Sequence, residues 1–300
     1  MNWFLIALIG PFLWCISNYI DKYLLSSYFN KVGIGALIIF SALIGLIVSP
    51  LILLFKPEVL IIGGNEIIWM ITAGIILMLS FLLYLYALDK DEASIVAPLF
   101  QTIPIFLYIL GYIFLKETLS SIQLSGGFLI MIGGIAIAWN IELRKLKGYI
   151  FLMMMVASLL LAAEGTIFKV IALETDFWTV VFWQYIGATL FGALLLFIPN
   201  YRRQFFSLWK KHKAALLSIN FINEAITTIG ILTFRFAMLL APLALVQMVN
   251  GFQPLFLLVI GLLLTKFWPK ITKERIDKKH LIHKLTAIII MIAGSFMINF

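Results

Sequence analysis

The stretch Pro104-Ile105-Phe106-Leu107-Tyr108-Ile109-Leu110-Gly111-Tyr112-Ile113-Phe114-Leu115-Lys116 is stated again as Pro254-Leu255-Phe256-Leu257-Leu258-Val259-Ile260-Gly261-Leu262-Leu263-Leu264-Thr265-Lys266. Proline, glycine and lysine keep their spacing at an offset of 150 residues. Upstream, Ala87 is matched by Ala237. Downstream, Met131-Ile132-Gly133-Gly134 is matched by Met291-Ile292-Ala293-Gly294, the offset having grown to 160 after one loop insertion. In a chain made almost wholly of apolar segments, such a repeat means two copies of one membrane-embedded module. Secondary transporters are commonly built this way, with the substrate held where the copies meet.

The composition requires a lipid environment. Hydrophobic residues make up 63% of the chain and charged residues 12%, where a soluble domain is nearer one half and one quarter. The mean hydropathy is +1.09. The single cysteine, Cys15, excludes an intramolecular disulfide, and His212, His280 and His283 form no zinc pattern. No cofactor is expected, and no nucleic acid: the net charge of +8 is clustered in loops, which points to membrane orientation and anionic headgroups. Met1-Asn2-Trp3 carries no basic leader, so the first apolar run reads as a retained span.

A helix needs about 20 apolar residues to cross the hydrocarbon layer. That window gives ten spans, near 3–21, 33–55, 66–88, 93–115, 122–140, 149–172, 177–198, 214–240, 243–265 and 281–299. The least marked break, Ala241-Pro242, is supported by the repeat, since it lies opposite Asp89-Lys90-Asp91-Glu92. Five spans per copy is odd, so the second copy enters the membrane inverted. The expectation is an all-α membrane protein of ten transmembrane helices in two inverted five-helix repeats: 1–140, a linker 141–148, and 149–300.

Lysine and arginine set the orientation. They gather in the loops after spans one, five, seven and nine: Lys22 and Lys31; Arg144, Lys145 and Lys147; Arg202, Arg203, Lys210, Lys211 and Lys213; and Lys270, Lys273, Arg275, Lys278 and Lys279. This bias puts the odd-numbered loops in the cytoplasm and both termini outside a multi-pass inner or plasma membrane. Arg202-Arg203-Gln204-Phe205-Phe206-Ser207-Leu208-Trp209-Lys210-Lys211 reads as a positive-inside loop with anchoring aromatics. Its alternative is an interfacial helix lying on anionic lipid.

These residues resemble the EamA-type members of the drug/metabolite transporter superfamily. The likeness rests on Trp14 followed by Lys22, Ala87-Leu88 leading into Ala93-Ser94, Pro104 within its helix, and Leu115-Lys116-Glu117-Thr118-Leu119. The glycine-rich run Leu124-Ser125-Gly126-Gly127-Phe128-Leu129-Ile130-Met131-Ile132-Gly133 completes it. The resemblance implies a ten-helix carrier with a central cavity, moving small organic metabolites without ATP. The chain departs from the pattern at Lys266-Phe267-Trp268, where the acidic residue of Lys116-Glu117-Thr118 is not repeated. The family is also usually drawn with both termini cytoplasmic, against the charge bias.

Polar side chains inside spans are costly and point to function or partnership. Asn220, Glu224, Thr227 and Arg235 share one face of span eight, with Asn223 beside them. Span nine carries Gln247, Asn250, Gln253 and Pro254, where the first copy has Ala97, Phe100, Ile103 and Pro104. Polarity is thus confined to one copy, which marks Asn220, Asn223, Glu224, Thr227, Gln247, Asn250 and Gln253 as candidate cavity residues. Interhelical hydrogen bonding is the competing reading. Trp14, Tyr84, Tyr86, Trp183 and Tyr185 are aromatic candidates for the cavity wall, or packing and interfacial anchors. Pro104 and Pro254 interrupt helical bonding at the same register and are candidate hinges.

Glu224 and Glu164 are the candidates for proton coupling, because a carboxylate in a low-dielectric cavity can exchange a proton near neutral pH. The alternative is a structural ion pair, Glu164 with Lys169, or Glu224 with Arg235 or another basic side chain. Arg235 and Lys169, near span ends, read as snorkelling side chains.

The expected function is secondary active transport, with export of a small metabolite such as an amino acid, by alternating access through a central cavity. The partners are the bilayer and a small-molecule substrate, with the chain a monomer or homodimer. No G-x-x-x-x-G-K-[ST] loop is present to drive ATP-dependent transport. A flippase of lipid-linked substrates is the alternative. A non-transporting scaffold and a membrane-embedded enzyme are the rivals of another class; an enzyme is not expected, since Ser, His and acidic residues do not converge within the spans.

Overall fold

The computed structural model describes residues 2–27, 33–90, 96–138, 148–211, 215–267 and 278–298. The basic residues Lys31, Arg144, Lys145, Lys147, Lys213, Lys270, Lys273 and Arg275 lie outside them, as do the side chains of Lys22, Asn220, Lys278 and Lys279.

Every regular element among the described residues is helical. Helices α1 (Trp3–Ser27), α2 (Ile34–Leu43), α3 (Gly45–Phe55) and α4 (Gly64–Lys90) are followed by a 3-10 segment, Ala97–Thr102, and α5 (Ile103–Leu110). A π turn, Gly111–Leu115, leads to α6 (Ser121–Ala138), α7 (Gly148–Glu174), α8 (Phe177–Leu195), α9 (Pro199–Lys211) and α10 (Ala215–Leu240). Helix α11 (Leu243–Val249), a 3-10 turn (Asn250–Phe252), α12 (Gln253–Phe267) and α13 (Lys278–Ile298) complete the order. Helices are the natural outcome for apolar runs in lipid, where each backbone N–H and C=O has to be satisfied within its own segment.

Among the described residues, seven helical stretches are long and apolar enough to cross a membrane: Trp3–Ile20, Ile34–Phe55, Gly64–Ala87, Gly148–Glu174, Phe177–Leu195, Phe221–Leu240 and Leu243–Phe267. They coincide with seven of the ten expected spans. The other three fall on shorter apolar helices, Leu99–Leu115, Ser121–Ala136 and Leu285–Ile298. The boundary at Ala241-Pro242 is a helix break: α10 ends at Leu240, and Pro242 (ψ 136°) precedes α11. The start of α8 is set by Asp176, whose carboxylate accepts from the backbone N–H groups of Trp178 (2.9 Å) and Thr179 (3.1 Å).

One expectation is corrected. The segment read as a positive-inside loop is the helix α9. Pro199 occupies its first position, where the missing N–H costs nothing. Tyr201, Gln204 and Phe205 then recur at helical spacing and turn inward, while Arg202, Arg203, Phe206 and Ser207 are exposed.

The helices pack closely where side chains vanish. A Cβ built on Gly126 of α6 would stand 2.7 Å from the carbonyl oxygen of Gly294 on α13, and one on Gly294 would stand 2.5 Å from that of Gly126. Gly10 and Gly230 play the same part between α1 and α10. Small residues let membrane helices gain van der Waals contact that lipid cannot match. The buried clusters mix both ends of the chain: Ala7, Leu107 and Ile130 pack with Phe234, Leu245 and Met291, and Ile52 and Met70 pack with Phe168 and Val181. Phe55, Leu152, Phe197, Ile289 and Phe296 face outward as an apolar surface.

Candidate functional site

Among the described residues, three polar assemblies interrupt this apolar interior. The deepest joins α7, α8 and α10. Arg235 Nη2 donates to Glu164 Oε1 at 2.6 Å, Gln184 Nε2 donates to the same oxygen at 2.9 Å, and Arg235 Nη1 donates to Gln184 Oε1. The three side chains thus form a closed ring of hydrogen bonds. The residues are 6%, 6% and 1% exposed for Glu164, Arg235 and Gln184. The guanidinium also lies 5.1 Å from the centroid of Phe168, which gives its face a favourable quadrupole.

The second assembly clasps separate parts of the chain. After the π turn, Lys116 adopts the left-handed conformation (φ 56°) and its ammonium donates to the Ile113 carbonyl at 3.2 Å. The reversal at Lys116 places Glu117 against α7 and α11. Its Oε1 lies 2.5 Å from Lys169 Nζ, and its Oε2 accepts from the backbone N–H of Leu243 at 2.8 Å. Lys169 also donates to the Ala241 carbonyl at 2.7 Å. One carboxylate and one ammonium therefore hold the α5–α6 connection, α7 and the α10–α11 turn together.

The alternative pairings of Glu164 with Lys169 and of Glu224 with Arg235 are not the ones formed: Lys169 pairs with Glu117 and Arg235 with Glu164. Helical residues five apart point about 140° away from each other, and residues eleven apart lie about 16 Å apart along the axis. Neither pair can meet on its own helix. Arg235 and Lys169 are buried ion-pair partners and do not snorkel.

The third assembly lies toward the opposite end of α10. Ser41 of α2 donates to Glu224 Oε1 at 2.8 Å, and Ser17 of α1 and Thr227 share a hydrogen bond of 2.9 Å. Asn223 is buried beside them. Tyr185 of α8 is also buried. At the rim, Tyr201 of α9 shares a hydrogen bond with Tyr86 of α4. Burial pushes the Tyr201 phenol up to about 12, and the contact with Tyr86 adds to the rise.

Residues 1–139 match the EamA-like transporter family. The likeness to that family therefore covers the first half of the chain. An uncharacterised protein of Methanocaldococcus jannaschii is 36% identical over 91 residues, a match covering 30% of this chain and 66% of that protein. A protein crystal structure superposes on 99% of this chain and 95% of its own with a TM-score of 0.70 at 12% identity, a likeness of fold alone.

The matched half supplies Trp14, Tyr84, Pro104 and Glu117. Trp14 of α1 packs on Phe234 of α10, ring centroids 5.2 Å apart, and its indole nitrogen lies over Gly230. Tyr84 packs on Phe100 at 4.8 Å. The remaining aromatic candidate, Trp183, instead donates to the Val59 carbonyl at 3.0 Å, away from the polar face of α10. Gln247 and Gln253 are half-buried, and the Oδ1 of Asn250 is buried without a hydrogen bond. The Gln253 carbonyl accepts from the Cys15 thiol at 3.2 Å. Pro104 and Pro254 each occupy the second position of a helix, α5 and α12, that restarts after a 3-10 segment. The residue that sequence reasoning missed is Gln184, a neutral side chain in an apolar run whose role appears only once α8 lies between α7 and α10.

Proposed function

We propose that the chain is a ten-helix secondary transporter of two inverted copies, 1–140 and 149–300 joined by 141–148, exporting a small polar metabolite such as an amino acid by alternating access. The observation that carries this reading is how the helices pair. Helix α1, first in its copy, packs on α10, third in the other; α4, third in the first copy, packs on α7, first in the second. The last helices of the two copies, α6 and α13, pack on each other. Exchanging the copies maps these pairs onto themselves, as two inverted repeats require. The 3-10 breaks before Pro104 and Pro254 add a matched pair of hinges.

In this reading the cargo sits against α10 and the α11–α12 break, near Asn220, Asn223, Glu224, Thr227, Gln247, Asn250 and Gln253. Asn250 supports it, since a buried amide oxygen with no protein donor offers an acceptor to a ligand. Of the two acidic candidates, Glu224 is the better proton carrier. Protonating Glu164 would strand the Arg235 cation in the interior, which costs several kcal/mol. Glu224 accepts from a serine hydroxyl that can bond either protonation state. The Lys- and Arg-rich loops face the cytoplasm, and both termini lie outside.

The test is counterflow in proteoliposomes against a metabolite panel, with and without a pH gradient. Saturable exchange of at least one polar metabolite is expected. An empty panel, or uptake equal to protein-free liposomes, would overturn the reading.

A further inference from the structure

Helix α9 leaves the apolar layer abruptly. Phe197 is 78% exposed on the outward surface, and α9 starts two residues later, its Arg202 N–H bonded to the Ile198 carbonyl at 3.0 Å. Both places where α9 docks lie at the ends of spanning helices. Gln204 Oε1 accepts from the backbone N–H of Gly35, the second residue of α2, at 3.1 Å. The Tyr201 hydroxyl meets that of Tyr86, four residues before the end of α4. Gly33 and Gly35 admit this contact because a Cβ on either would collide with the side chain of Gln204 or Tyr201. A helix fixed to the first turn of one span and the last turn of another, and following directly on an apolar one, lies at the level of the lipid headgroups.

Its other face is made for that layer. Arg202 and Arg203 are exposed, and Phe206 beside them is 50% exposed. From Pro199 to Lys213 the sequence has five Lys and Arg residues and no Asp or Glu. Cations beside an exposed aromatic suit a surface that is anionic at the headgroup and apolar just beneath.

We infer that α9 is an anionic-lipid-binding surface, with Arg202 and Arg203 holding the phosphates of acidic headgroups and Phe206 inserted beside them. Through Tyr201–Tyr86 and Gln204–Gly35 the bound lipid is tied mechanically to α4 and α2. The inference does not depend on the transport reading, because it concerns the outer face of α9 alone.

The experiment places a fluorophore on Ser207→Cys, exposed on this face, and leaves the buried Cys15 in place. Proteoliposomes carry spin-labelled phosphatidylglycerol or, separately, spin-labelled phosphatidylcholine at equal mole fraction. Quenching by the acidic lipid is expected to reflect a stronger local association, by about fivefold for each arginine engaged. Arg202→Gln with Arg203→Gln should abolish the preference, whereas Arg202→Lys with Arg203→Lys should keep most of it. The lysine variant separates loss of charge from loss of fold. Equal quenching by the two lipids, absence of quenching by either, or a preference that survives the glutamine variant would overturn the inference.

Discussion

Arg235 of α10 lies 2.6 Å from Glu164 of α7, with both side chains buried and Gln184 of α8 bonded to each. Three helices are locked in register by this ring. Removing one charge leaves the other in the interior without compensation, so Arg235→Leu is expected to cost about 3–5 kcal/mol. Glu164→Leu combined with Arg235→Leu should recover part of that, because no charge is left unpaired and only the neutral Gln184 amide loses its partners. Denaturant unfolding in detergent micelles measures the cycle. Losses that simply add in the double variant would show that the two groups do not stabilise each other.

The clasp at Glu117 predicts a different pattern. Glu117→Gln keeps an acceptor for the Leu243 N–H but removes the counter-charge of Lys169, leaving its ammonium with the Ala241 carbonyl. A cost of about 1–3 kcal/mol is expected. Lys169→Met in the same background should return part of it. Because the clasp joins the α5–α6 connection to α7 and α11, maleimide labelling of a cysteine at Leu119 should accelerate in Glu117→Gln. Labelling rates that match the parent would mean the clasp does not close this face.

The helical class and most element boundaries were legible because they rest on local quantities, the length of apolar runs and the position of Pro and charged residues. Pro104 and Pro254 marked the broken helices for the same reason. The ion pairs were not legible. Which carboxylate meets which cation depends on how α7, α8 and α10 turn toward one another, and spacing along one helix could only have excluded the partners expected for Glu164 and Glu224. The α9 segment was misread because its basic residues dominate its composition, while the inward stripe of Tyr201, Gln204 and Phe205 is short and only partly apolar.

Gly126 and Gly294 make a packing prediction with an internal control. Gly126→Leu would drive a side chain into the Gly294 carbonyl and Met297, and overpacking of this kind costs about 1–3 kcal/mol. Gly64→Ala, with no atom near its built Cβ, should leave the unfolding midpoint almost unchanged. If the two substitutions shift it equally, close approach of α6 and α13 is not what these glycines provide.

Glu224 and Glu164 are separated by their surroundings, and the separation gives the sharpest test of coupling. Glu224 bonds Ser41 on α2, so gain or loss of its proton is felt where α10 meets α2. Glu164 is already committed to Arg235. A pH gradient of one unit coupled to one proton supports about tenfold accumulation of substrate. In proteoliposomes Glu224→Gln should lower gradient-driven accumulation to unity while leaving counterflow, which needs no net proton movement. Glu164→Gln should keep the accumulation ratio and lower the unfolding midpoint instead. Full accumulation by Glu224→Gln would remove this carboxylate from the coupling step, and its loss only in Glu164→Gln would reverse the assignment.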